Sequence, residues 1–160
     1  MNLRQLSGAP LALAIILLAG CGNEVSKLPR DEQTVGGITI DLGVMPAALV
    51  QGHSMGPGAP GAASGAAQNP AAHHIVVALF DATTGGRITD ARIRAGVGDR
   101  SYNHEPDQWL AEMPVNGMMT YGGYFPMGQE GLWRIHLEIY RPGVANPIEA
   151  NFAYEHPGGF

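Results

Sequence analysis

The stretch Leu132-Trp133-Arg134-Ile135-His136-Leu137-Glu138-Ile139-Tyr140 decides the fold class. Trp133, Ile135, Leu137 and Ile139 fall on one side of a two-residue period, and Arg134, His136 and Glu138 on the other. A strand with one buried and one wet face has that pattern. Downstream, Arg141-Pro142-Gly143 and Asn146-Pro147 punctuate a hairpin that returns through residues 148–154. Upstream, residues 91–97 alternate strictly, with Ala91, Ile93, Ala95 and Val97 inward and Arg92 and Arg94 in solvent. Residues 74–80 form a nearly continuous apolar run, as a central strand of a sandwich does. Residues 81–86 follow as a turn, and the pairs Gly85-Gly86 and Gly122-Gly123 read as turn glycines. Residues 38–44, 109–115 and 120–125 supply further strands. Beyond the N-terminal stretch, no segment keeps a 3.6-residue apolar period for two turns. The chain is therefore expected to be all-β, an antiparallel immunoglobulin-like β-sandwich of about seven strands. A small barrel is the alternative.

The N-terminus is of a different kind. Arg4 precedes the apolar run Leu11-Ala-Leu-Ala-Ile-Ile-Leu-Leu18, eight residues long. That is well short of the roughly 20 needed to span a bilayer as a helix, and it fits the core of a secretory signal. Leu18-Ala19-Gly20-Cys21 resembles the lipobox of bacterial lipoproteins, which implies that Cys21 is acylated and becomes the mature N-terminus. Gly22 is not the aspartate that retains many such lipoproteins at the inner membrane, so the resemblance points to the periplasmic face of the outer membrane. The expected organisation is a signal peptide over residues 1–20, a polar tether over 21–36, and a sandwich domain over 37–160. Within that domain, residues 52–72 contain 15 Gly, Ala or Pro among 21 residues and no charge, and read as a disordered loop.

Cys21 is the only cysteine of the 160 residues. Once acylated, it leaves no thiol for a nucleophile, a thiolate metal site or a disulfide, so the core alone must hold the domain. Losing Arg4 with the signal leaves 8 basic residues against 14 acidic. That balance argues against nucleic acid and anionic headgroups as partners. The expected partners are the membrane, through the lipid on Cys21, and a membrane protein.

No catalytic motif is present: no Gly-x-Ser-x-Gly, no His-Glu-x-x-His, no phosphate loop and no calcium loop. Glu105, Asp107 and Glu112 read as solvated carboxylates. Histidine and methionine carry what signal remains. His53 and Met55 lie in the Gly/Ala/Pro loop, and His73 and His74 stand where it enters the central strand. Met113 and Met127 adjoin prolines at turn-like positions. Thioether and imidazole together favour Cu(I) over hard cations, so His53, Met55, His73, His74, Met113 and Met127 are the candidate metal ligands. His73 and His74 are adjacent, and inside a strand they point to opposite faces. Met45 and Met118 read as core, and His136 and His156 as solvated.

Several of these elements also carry a family resemblance. Residues 74–80 with Asp81-Ala-Thr-Thr-Gly85, then Met113-Pro114, Gly123-Tyr124 and Gly131-Leu-Trp-Arg-Ile135, resemble the periplasmic YtkA-like and FixH-like sandwich domains. The resemblance implies an exported or membrane-tethered sandwich, of a kind several of whose members lie near copper handling or cytochrome oxidase assembly. The expected function is a non-enzymatic lipoprotein that binds copper as a carrier or buffer. The competing expectation is an interaction module that docks on a membrane complex and holds no metal.

Overall fold

The structure is a computed structural model that describes residues 30–51, 69, 71–99 and 106–156. The signal segment with Cys21, and His53 and Met55 of the Gly/Ala/Pro loop, lie outside the described residues. Among the described residues there are nine strands in two antiparallel sheets. The larger sheet has the order β1 (Arg30–Val35), β2 (Ile38–Pro46), β3 (Ala72–Asp81), β7 (Met118–Pro126), β6 (Ala111–Val115). The smaller runs β5 (Gln108–Trp109), β4 (Arg92–Gly98), β8 (Gly131–Tyr140), β9 (Ile148–His156). No described helix is long and apolar enough to cross a membrane.

The sheets face each other through the residues that the alternation marks as inward. Ile38, Ile40 and Leu42 of β2 and Ile75, Val77 and Leu79 of β3 meet Ile93, Ala95 and Val97 of β4 and Trp133, Ile135, Leu137 and Ile139 of β8 in one buried cluster. Side chains of period two on two stacked sheets make a single apolar layer, and its burial drives the fold. Tyr121 of β7 fastens the crossover between the sheets: its hydroxyl accepts a hydrogen bond from the Ala91 backbone N–H at 3.1 Å. At the turn after β3, Asp81 Oδ1 accepts from the Thr83 and Thr84 N–H groups at 3.1 and 2.8 Å. Those bonds hold the Asp81 carboxyl below its usual range.

Four expectations need correction. Residues 30–35, assigned above to the tether, form the edge strand β1, paired to β2 through Val35↔Ile38. Gly36 and Gly37, at φ 57° and 79°, close a two-residue hairpin there; the strand is polar because an edge strand buries little. The segment expected to be one strand at 109–115 is divided. Gln108–Trp109 pairs with β4 of the smaller sheet, whereas Ala111–Val115 pairs with β7 of the larger. Gly122 and Gly123 are not turn residues; they lie within β7, opposite Val76 and Ile75 of β3. Last, the strand following the Gly/Ala/Pro loop starts at Ala72, and a five-residue helix α1 (Ala47–Gln51) follows β2.

Candidate metal site

The outer face of the larger sheet, turned away from the sandwich core, is itself partly buried. His74 is 1% exposed and Met113 is 3%. The strand registers place them there. His74 sits between Met45 of β2 and Tyr124 of β7, and Met113 of β6 is opposite Thr120 of β7. Helix α1 packs on the same face, with Ala47 and Val50 buried. A groove of about 640 Å³ runs across it, lined by His74, Val76, Phe80, Met45, Met113 and Val50 among others.

His74 is the chemical centre of this face. Its ring stacks on Tyr124, with centroids 4.6 Å apart and an interplanar angle of 27°. Both ring nitrogens are buried, with no hydrogen-bond partner among the described residues. Each unsatisfied buried polar atom costs roughly 1–3 kcal/mol, and such atoms call for an explanation. Burial disfavours the imidazolium and lowers the His74 pKa to about 4. The ring is thus neutral at neutral pH, the protonation state that ligates metals.

Gly122 brings the second donor close. A side chain at this position would run into the Met113 methyl carbon Cε, His74 Nε2 at 2.9 Å and the Ile75 carbonyl at 3.0 Å. The missing Cβ lets the Met113 thioether side chain and the His74 imidazole close over the β7 backbone beside each other. Met45, next to His74 on β2, supplies another sulfur on this face. Among the described residues no three His, Cys, Asp or Glu side chains gather as a metal cage. A metal here would therefore rely on thioether sulfur beside imidazole, a donor set that suits Cu(I).

The remaining sequence candidates separate. Because β3 begins at Ala72, His73 points to the opposite face from His74 and lies between the sheets. Met127 is fully buried in the core cluster, its N–H donating to the Ala71 carbonyl at 3.0 Å. His74 and Met113 thus come together, and His73 and Met127 lie apart from them. His136 pairs through Nδ1 with Asn151 Oδ1 at 3.1 Å on the wet face of the smaller sheet. Met45, Tyr124 and Gly122 were not among the sequence candidates. Only strand register brings them to His74, and no local motif signals it.

No family model matches the chain, and no curated protein does. Solved structures do. A DUF4426 family protein of Pseudomonas aeruginosa matches at 14% identity with a TM-score of 0.58, over 79% of this chain and 96% of that one. A copper-bound variant of FetP from uropathogenic Escherichia coli matches at 12% identity and TM-score 0.62, over 80% and 95%. Copper-reconstituted P19 of Campylobacter jejuni matches at 13% and 0.62, over 79% and 92%. The chain has their fold. The likeness shown is that of the sandwich alone; no family model places the chain among the YtkA-like or FixH-like domains.

Proposed function

We propose that this chain is a periplasmic lipoprotein that binds copper without catalysing a reaction, as a carrier or buffer tethered through Cys21. One observation carries the copper reading: the neutral imidazole of His74, buried with both nitrogens unpartnered among the described residues, stands beside Met113, the two side chains closing over Gly122. Copper-bound FetP and P19 on the same sandwich support it. Thioether and neutral imidazole stabilise the monovalent ion, which is strongly bound by few, soft ligands. When bound, copper would supply only its affinity; the protein's part is to hold His74 neutral and oriented on Tyr124.

The test is competition for Cu(I) between the purified chain and a chromogenic chelator under reducing conditions. His74→Ala and Met113→Leu are each expected to lower affinity on the order of tenfold or more, where tenfold corresponds to about 1.4 kcal/mol. Met→Leu nearly conserves volume, so a loss there reports on sulfur. If the wild-type chain cannot compete with a weak chelator, the copper reading falls. The interaction-module reading then takes its place, favoured by Leu49 and Met118, which remain 62% and 54% exposed on the rim of the groove.

The anchor has its own check. In Cys21→Ala the precursor is expected to stay uncleaved by lipoprotein signal peptidase and to carry no acyl label. Normal processing with label retained would rule out lipidation at Cys21.

A further inference from the structure

His73 and His156 meet on the other side of β3. His73 begins the core-facing series of β3 and is 4% exposed, whereas His156 ends β9 and is half-buried. One residue comes from each sheet, so the two close one end of the sandwich between them. Their rings stand edge to face, with centroids 4.6 Å apart and planes at 73°. The Tyr154 ring completes the group, 6.1 Å from His73 and 6.4 Å from His156. Nδ1 of His73 and Nδ1 of His156 are both buried, and neither has a hydrogen-bond partner among the described residues.

Packing alone does not account for this pair. An edge-to-face aromatic contact is equally available to two phenylalanines, which leave no polar atom to desolvate. Two cations held this close would repel. Burial lowers the His73 pKa, and the charge of His156 lowers it further, while the Ala71 backbone carbonyl opposes the shift. Burial and the neighbouring ring thus disfavour the charged form of His73 and leave its imidazole a lone pair to give.

We propose that His73 and His156 form a second metal site, separated from the His74–Met113 face by the sheet and built for a borderline divalent cation of the Cu(II) or Zn(II) class. Imidazole suits these ions, and a site without thioether in this pair no longer favours the monovalent one. The Tyr154 ring borders the pair, and water would complete the coordination from the partly exposed side of His156. The adjacent residues His73 and His74 thus serve two sites of different softness, one on each face of a single strand. This inference does not rest on the Cu(I) reading, since it uses different ligands and a different ion.

The experiment is a titration of the purified full chain with Cu(II) under oxidising conditions, followed by electron paramagnetic resonance. Wild type is expected to give a spectrum with coupling to two imidazole nitrogens. His156→Ala, at the end of a strand, and His73→Ala are each expected to lose that coupling and to weaken Cu(II) binding on the order of tenfold to a hundredfold. His74→Ala and Met113→Leu should leave the signal intact. Failure of wild type to bind Cu(II) would overturn the proposal. So would an unchanged spectrum and affinity in His156→Ala and His73→Ala, or a signal lost only with His74→Ala. If circular dichroism shows that His73→Ala has unfolded, His156→Ala decides alone.

Discussion

Gly122→Ala is expected to abolish most of the Cu(I) affinity while leaving the sandwich folded. The new methyl would enter a space already bounded by the Met113 methyl carbon, His74 Nε2 and the Ile75 carbonyl oxygen. These neighbours differ in how far they can yield. Met113 ends in a flexible thioether and can swing aside. The His74 ring is clamped on Tyr124, and the Ile75 carbonyl belongs to the paired strand β3. The methyl therefore displaces the sulfur first and then presses the ring from its stacked position. Overpacking of this kind costs about 1–3 kcal/mol, measurable as a lower denaturant midpoint with unchanged slope. In chelator competition the loss should match or exceed that of Met113→Leu, because both donors are disturbed. Wild-type Cu(I) affinity in a folded Gly122→Ala chain would show that metal is not held between these two side chains.

Trp133→Ala is expected to cost about 3–5 kcal/mol of folding stability, the range for deleting a large buried aromatic side chain. Trp133 lies in the core cluster on β8, opposite Tyr154 of β9. Its indole N–H donates to the Gln129 carbonyl at 2.9 Å, which ties the strand to the segment before it. Truncation removes apolar contact, leaves a cavity between the sheets and strips that carbonyl of its partner. With no disulfide available from the one cysteine in the chain, nothing covalent holds the sheets against the loss. Chemical denaturation followed by far-ultraviolet circular dichroism measures it directly. A cost below about 1 kcal/mol would be too small for a core position of this size and would contradict the inward placement of this face of β8.

Two of the hairpins show how much local signal the chain contains. Asn116-Gly117, at φ 50° and 77°, turns β6 into β7. Asn-Gly between apolar flanks is among the plainest hairpin signals. Gly36-Gly37 is nearly as plain, yet β1 escapes a search for apolar alternation because it is a polar edge strand. Gly122-Gly123 misleads in the opposite direction. Glycine pairs suggest turns, but here the absence of Cβ lets strands approach and side chains from neighbouring strands fold over them.

By itself the sequence determined the class of fold and most of its inward faces, because alternation with period two and one buried face leaves a strand few other arrangements. It also determined the chemical inventory: one cysteine, an acidic balance, and histidine with methionine as the available soft donors. It required that His73 and His74 part company inside a strand. Only the tertiary structure decided which of them met which partner. β3 is apolar on both faces, so its pattern does not say which side is core. The registers β2–β3, β3–β7 and β6–β7 set Met45, Tyr124, Gly122 and Met113 around His74. The stacking of the two sheets brought His156, from the last strand, against His73. Pairing across sheets and strands is fixed by the packing of the whole core, which no local stretch of sequence contains.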